Sequence, residues 1–269
     1  MTELDLRLEV LLDVGGDPRV PVPDEVALAY GGTFWLPERV VYANFVSSID
    51  GVAAIGGVEM SSAAISGGAS ADRFVMALLR ALADAVVVGA GTLREHGGPW
   101  TAEKAYPPGA ESFTRLRTGI AAGGSPTLVV VTARGELPTD HPALADAIVV
   151  TTSAGARSLA EGGARVGEVI DVGDADRVDG AAVIDRLRER DHRRILTEGG
   201  PRLMGAMLDA SAVDQLFLTV SPKLIGGGPD RPPLTDGTDL LERELGARLL
   251  SIRRSEDHLF LRYGLSARG

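Results

Sequence analysis

The 269-residue chain contains no cysteine. That absence removes disulfides, thiolate zinc sites, iron–sulfur clusters and cysteine nucleophiles together, and it fits a reducing compartment. Positive charge is in short supply as well. Against 37 Asp and Glu there are 27 Lys and Arg, a net charge of −10, and no basic run of the kind that neutralises a phosphate backbone, so no nucleic-acid partner is expected. No uncharged apolar run reaches the ~18 residues of a membrane-spanning helix. Met1-Thr2-Glu3-Leu4-Asp5 carries acids where a secretory leader needs basic residues, so a cytoplasmic protein without a membrane partner is the expectation. The four histidines, His96, His141, His192 and His258, have no metal-ligand spacing, and His192 and His258 read as surface residues; no metal is expected. A Gly-x-Ser-x-Gly elbow is missing too, which leaves hydrolytic chemistry without a nucleophile.

What is present is ordinary globular material, 45% apolar and 24% charged. Apolar, β-branched runs at 40–47, 85–88, 127–132, 147–152, 194–197 and 213–220 read as strands. Between them, 70–83 has helical periodicity, with Phe74, Leu78, Leu79 and Leu82 at spacings of three and four. Helices are also expected over 183–190 and 203–208. The stretch 94–125, with Gly97-Gly98-Pro99 and Pro107-Pro108-Gly109, reads as loop, as does the Gly- and Pro-rich 222–233; 247–254 and 258–263 read as a closing antiparallel strand pair. Alternating strands and helices imply a mostly parallel sheet covered on both faces, made mixed by the last pair. Residues 39–269 read as one domain, with 1–38 as an N-terminal segment wrapping it.

Several strand ends carry polar or glycine-rich residues, where open α/β sheets bind ligands. Gly89-Ala90-Gly91-Thr92 follows a buried strand. It reads either as a plain tight turn or as a close backbone approach to phosphate oxygens. It is not a Rossmann fingerprint, because Arg94 stands where the third glycine belongs, and no Gly-Lys-Ser/Thr follows to make a P-loop. Glu198-Gly199-Gly200-Pro201 opens the helix containing Leu203, where free N–H groups and the positive dipole end favour an anion. A helix-start turn explains these glycines and the proline but leaves the carboxylate of Glu198 unexplained. Two such turns after separate strands can cradle a pyrophosphate between them. Thr132-Ala133-Arg134 is either an exposed loop arginine or a clamp for a phosphate monoester such as the 2′-phosphate of NADPH. Asp50-Gly51 is a turn signal in its own right. With Asn44 and Ser48, Asp50 can also hydrogen-bond a polar heterocycle at the strand end. Ser66 adds a hydroxyl to that side or caps the helix that follows.

Segments 44–51, 85–92 and 195–228 resemble the reductase (C-terminal) domain of the bacterial bifunctional riboflavin deaminase-reductase, in the dihydrofolate-reductase-like superfamily. The most specific stretches are Ile195-Leu196-Thr197-Glu198-Gly199-Gly200-Pro201 and Pro222-Lys223-Leu224-Ile225-Gly226-Gly227-Gly228. The resemblance implies a three-layer α/β/α sandwich with a central mixed, mostly parallel sheet, usually a homodimer, binding NADPH along the strand ends. It implies that Gly89, Gly91, Thr92, Gly199, Gly200 and Leu203 hold the pyrophosphate and that Thr132 and Arg134 hold the 2′-phosphate. Asp50 and Glu198 are the catalytic carboxylates implied beside nicotinamide and substrate, with Asn44, Ser48, Ser66 and Arg94 on the substrate side. In the family, hydride passes to the ribose C1′ of a phosphoribosylaminouracil.

Two departures fall on the substrate side. Asn44 stands where the family has a basic residue, and Arg94-Glu95-His96-Gly97-Gly98-Pro99 replaces an acidic-proline segment. The zinc-binding Cys pair of the deaminase half is missing, so a stand-alone reductase acting on a small heterocycle is expected. A pterin reductase like dihydrofolate reductase, or a nucleotide-binding homologue without turnover, are the alternatives.

Overall fold

The computed structural model describes residues 4–58, 61–96, 98–241 and 245–267. Gly97 of the expected loop, residues 1–3 of the N-terminal segment and residues 268–269 of the main domain lie outside them.

Among the described residues the strands are β1 (Glu9–Asp13), β2 (Val40–Ser48), β3 (Ala85–Gly89), β4 (Thr127–Thr132), β5 (Ile148–Thr151), β6 (Glu168–Asp171), β7 (Arg194–Thr197), β8 (Gln215–Ser221), β9 (Leu245–Ser255) and β10 (His258–Ala267). They form one sheet in the order β1-β9-β10-β8-β2-β7-β3-β4-β5-β6. Pairings from β8 through β6 are parallel, while β10 pairs antiparallel with β8 and β9, and β1 antiparallel with β9.

The run at β3 is apolar up to Gly89, and β7 is buried beyond Arg194, because both faces of these strands are covered. In β3, Val86 and Val88 enter the core beneath α1 (Asp24–Tyr30), α3 (Ser70–Leu82), α5 (Ala102–Ala105) and α6 (Ala110–Gly119); Ala85 and Val87 face α8 (Gly180–Arg188) and α9 (Pro201–Asp209). Helix, sheet and helix thus make three layers, the expected mixed and mostly parallel α/β/α architecture. The remaining helices are α2 (Ser61–Ser66), α4 (Ala90–Glu95) and α7 (Ser153–Glu161).

The stretch 94–125 is not the expected loop. Pro107 and Pro108 open a short 3-10 turn that leads into α6, and Phe113 and Leu116, three apart, are fully buried against α3. Proline at a helix start loses no needed donor, so the Pro-Pro-Gly signal marked a start rather than a break. Residues 1–38 do more than wrap the body. They add the edge strand β1, and they send Val26, Ala29 and Tyr30 of α1 into the same core as α3.

Arg117 shows how the helix layer is sealed. Its Nη1 donates to the carbonyls of Ala81 (3.0 Å) and Ala83 (2.8 Å) at the end of α3, and its Nε donates to Gly124 O at 2.6 Å. Burial lowers its pKa, and Asp84 opposes that. Helix ends leave carbonyls without intrahelical partners. Arg117→Met keeps the aliphatic stem but strands those oxygens, so the variant is expected to lose about 3 kcal/mol and melt several degrees lower in a thermal unfolding scan.

Candidate functional site

All of the parallel strands end at one edge, and the polar residues singled out from sequence collect there. Ser48 ends β2, Gly89 ends β3, Thr132 ends β4 and Ser221 ends β8, while Glu198 follows β7. The Glu198 amide donates to Val87 O at 3.0 Å, which fastens the β7 turn to β3. The two glycine turns are consequently neighbours. A Cβ at Gly200 would stand 3.6 Å from Thr92 Oγ1, and Cβ atoms at Gly89 and Gly91 would meet open space. Gly199 is closed on one side, because a Cβ there would press on Leu203 at 2.5 Å. Gly89-Ala90-Gly91-Thr92 is no simple turn: Gly89 is the N-cap of α4, so the backbone N–H groups of two helix starts, α4 and α9, come together. That donor set, with space beside it, suits a pyrophosphate.

Further along the edge, Thr132 Oγ1 accepts from Gly135 N at 3.2 Å and shapes the turn that presents Arg134. Arg134 is 80% exposed and only loosely paired with Glu136 at 3.5 Å. An exposed pair of this kind is worth little, which leaves the guanidinium available to a phosphate. Arg94, expected on the substrate side, reaches toward this corner. Its Nη1 reaches Glu136 O at 3.1 Å, drawn there because α4 turns the side chain outward.

On the α3 face the sheet end is polar. Asn44 on β2 sits beside the β7 end, since Ala43 pairs with Thr197. Arg80 of α3 grips both oxygens of Glu198 through its Nε and Nη2 at 2.6–3.1 Å. Both side chains are only 8% exposed. Helix α2 reaches α4 through Ser61 Oγ and Glu95 Oε2 at 3.5 Å. Ser66 caps no helix: it ends α2, its hydroxyl donating to Ala63 O, and Ala69 is the N-cap of α3.

Asp72, in the first turn of α3, was not found from sequence. Burial raises its pKa; hydrogen bonds from Thr219 and Ser66 and the charge of His258 pull it back, and Glu198 adds to the rise. His258 is no free surface residue, since its Nε2 hydrogen-bonds with Ser66 O at 2.9 Å. Only the fold brings α3, β8 and β10 to one place.

Asp50 is held differently. Ser48 Oγ donates to it at 2.5 Å, and the amides of Ile225 (3.2 Å) and Gly226 (2.6 Å) donate as well. These bonds, led by Ser48, hold its pKa down to about 2. The Asp-Gly turn and the glycine-rich loop are therefore two halves of one structure. Asp50 is an ionised acceptor that positions residues 222–228, and it lies in the open rather than in a dry pocket. No cluster of three or more His, Asp or Glu suited to a metal occurs among the described residues, and no helix among them is long and apolar enough to cross a membrane.

Comparison with known proteins adds to this geometry. The family model of the RibD C-terminal domain matches residues 39–261. The chain belongs to the RibD C-terminal domain family. Among relatives of this RibD C-terminal domain, the 2,5-diamino-6-ribosylamino-4(3H)-pyrimidinone 5′-phosphate reductase of Archaeoglobus fulgidus is 26% identical over 206 residues, covering 76% of this chain and 89% of the relative. The enzyme of the same name from Methanothermobacter thermautotrophicus is 32% identical over 147 residues, 53% of this chain and 66% of that one. A pyrimidine reductase-like protein from Corynebacterium diphtheriae superposes with a TM-score of 0.68 at 24% identity, over 87% of this chain and 96% of that structure. RibD of Acinetobacter baumannii superposes at 0.62 with 19% identity, over 85% of this chain and 58% of that longer one.

The Asp50 anchor gives a pH prediction. A carboxyl whose folded pKa lies below its ordinary value contributes stability that is present above about pH 4 and is lost as pH falls toward about 2. The protection of the Ile225 and Gly226 amides from hydrogen exchange, relative to their intrinsic rates at each pH, is expected to fall across that window. In Asp50→Asn it should be low at every pH.

Proposed function

We propose that this protein is an NADPH-dependent reductase that converts the ribosylamino group of a phosphorylated pyrimidine to the ribitylamino group. The observation that carries the reading is the meeting of the two glycine turns, Gly200 beside Thr92, next to the polar sheet end of Asn44, Glu198 and Arg80. The relatives named for 2,5-diamino-6-ribosylamino-4(3H)-pyrimidinone 5′-phosphate support the substrate class. Gly89, Gly91, Thr92, Gly199, Gly200 and Leu203 would hold the pyrophosphate, and Thr132 with Arg134 the 2′-phosphate. When bound, NADPH supplies a hydride to C1′ of the substrate, the C1′–O4′ bond breaks, and one proton is needed at O4′.

The protein's part is orientation and that proton. Asp50 is held ionised and cannot donate; it fixes the 222–228 loop at the edge of the site. Glu198 orients Arg80, and the paired carboxylate offers negative charge beside a cation-like carbon. Asp72, whose pKa burial raises while Thr219, His258 and Ser66 pull it back, is the carboxyl assigned to that proton. Asn44, Ser48 and Ser66 complete a neutral hydrogen-bonding rim for the heterocycle. Cytoplasmic location and a homodimer belong to the same proposal. Val10, Leu11 and Leu12, exposed on the edge strand β1, support pairing with a second copy.

The direct test is loss of NADPH absorbance with the diaminopyrimidinone phosphate as substrate; no oxidation of NADPH by the pure protein would end the reading. NADPH is expected to bind about tenfold more tightly than NADH, and Arg134→Ala to erase the difference, as calorimetric titration would show. Asp72→Asn is expected to lower kcat on the order of a hundredfold while leaving NADPH affinity unchanged, a split visible by steady-state kinetics beside the same titration.

A further inference from the structure

On the side of the antiparallel strands, the sheet carries polar side chains on a face that packs beneath helices. Ser251, Arg262, Phe217 and Asn44 form one row across β9, β10, β8 and β2, and Arg253, Phe260 and Thr219 form the next. Tyr30 of α1 and Val75 of α3 close over these rows, and a cavity of about 10 Å³ lies between them. Asn44, Thr219, Ser251 and Arg253 give it polar walls.

Arg253 is bound on most of its sides. Its guanidinium carbon lies 3.8 Å from the centre of the Tyr30 ring, its Nε donates to Tyr30 O at 2.8 Å, and its Nη2 donates to Asp13 at 2.6 Å. Nη1 is sealed from solvent and has no hydrogen-bond partner in the protein. A buried N–H is costly to leave unmade, and such groups are nearly always answered by protein or by ordered water.

Charge and size together decide what the cavity can take. Arg253 and Arg262 both line it, each only 2% exposed, and the ion pair to Asp13 answers one of the two cations. Rings answer the other. Arg262 lies 3.8 Å over Trp35 and 4.8 Å over Phe217, with its Nε and Nη2 donating to Gln215. No further anion is called for, and the volume is close to the least that an ordered water needs. Water also matches the donor count. It accepts from Nη1, and its own protons find acceptors in the hydroxyl oxygens of Ser251 and Thr219 and the carboxamide oxygen of Asn44.

We propose that this cavity is a binding site for one ordered water, held by Arg253 Nη1 and shared with Ser251, Thr219 and Asn44. Two of those partners lead to the strand-end site: Thr219 bonds Asp72, and Asn44 stands on its polar rim. The inference needs only the fold. It is independent of the reductase reading, and no activity enters its test.

The test is a high-resolution crystal structure of the full chain, from crystals grown once in chloride and once in bromide. One water peak within hydrogen-bonding distance of Arg253 Nη1 is expected in both, with no anomalous signal. A cavity free of density overturns the inference, and so does an anomalous bromide peak, which marks an anion site. Filling the cavity gives a second reading. Val75→Ile adds a methylene to its wall, displaces the water and strands Nη1, so the variant is expected to lose the peak and to melt a few degrees below wild type in a thermal scan. Filling a dry void stabilises instead, so a melting temperature equal to or above the wild-type value overturns the inference. A variant that keeps the peak overturns it too, because the water then lies outside the cavity.

Discussion

The Arg80–Glu198 pair joins the parts of the molecule that must stay in register for the site to exist. Arg80 lies in the last turn of α3, Glu198 just beyond β7, and the grip on both carboxylate oxygens ties the helix layer to the sheet edge. Such a pair is weak evidence for stability in itself, because desolvation offsets most of the attraction; removing one partner, however, leaves an uncompensated charge and typically costs about 3–5 kcal/mol. The pair therefore acts as a constraint. Around it, Arg117 holds the carbonyls at the end of α3, and the Tyr42 hydroxyl donates to Leu79 O at 2.8 Å from the sheet below. With α3 fixed in height and rotation, Asp72 at its first turn is carried over β8, and the β7 turn is held where Gly200 meets Thr92.

The two halves of the sheet serve different ends. The parallel half supplies strand ends, and its glycine turns and helix starts gather at one edge because parallel strands all finish there. The antiparallel half, β8-β10-β9-β1, anchors that edge from the side. It uses arginine as core material: Arg253 lies 3.8 Å over the Tyr30 ring and bonds Asp13 at 2.6 Å, and Arg262 lies 3.8 Å over Trp35 while its Nε and Nη2 donate to Gln215. Burial brings Arg262 down to about 10, still charged at neutral pH. Planar guanidinium groups stack on rings while their remaining N–H groups reach acceptors at the rim, although Arg253 Nη1 is left without one, so they can replace aliphatic packing between a sheet and the N-terminal segment.

Much of this could be read in the sequence, and the errors have particular causes. Strands β4 and β7 match their expected limits because each has an apolar centre, rich in β-branched residues in β4, bounded by polar residues. The helices between 102 and 119 were hidden by Pro and Gly signals that mark helix starts as well as loops, and by short amphipathic runs with few large apolar residues. The bond of Arg94 to Glu136 O could not be read from its position after the glycine turn, because it depends on the helical rotation of α4. Asp50 read as a catalytic carboxylate or a turn residue. Its bonds to Ile225 and Gly226 span 175 and 176 positions, which no local pattern contains.

By itself the sequence determined the layered α/β class, the strand ends with their glycine turns, and the residue types available for an anionic ligand, because these depend on periodicity and on local backbone freedom. Only the tertiary structure decided which of them meet. It set Gly200 beside Thr92 and Arg80 against Glu198, and drew Asp72 to Thr219 and Ser66. Burial and long-range pairing set the charge state and direction of each of those groups, and both arise only when distant segments pack.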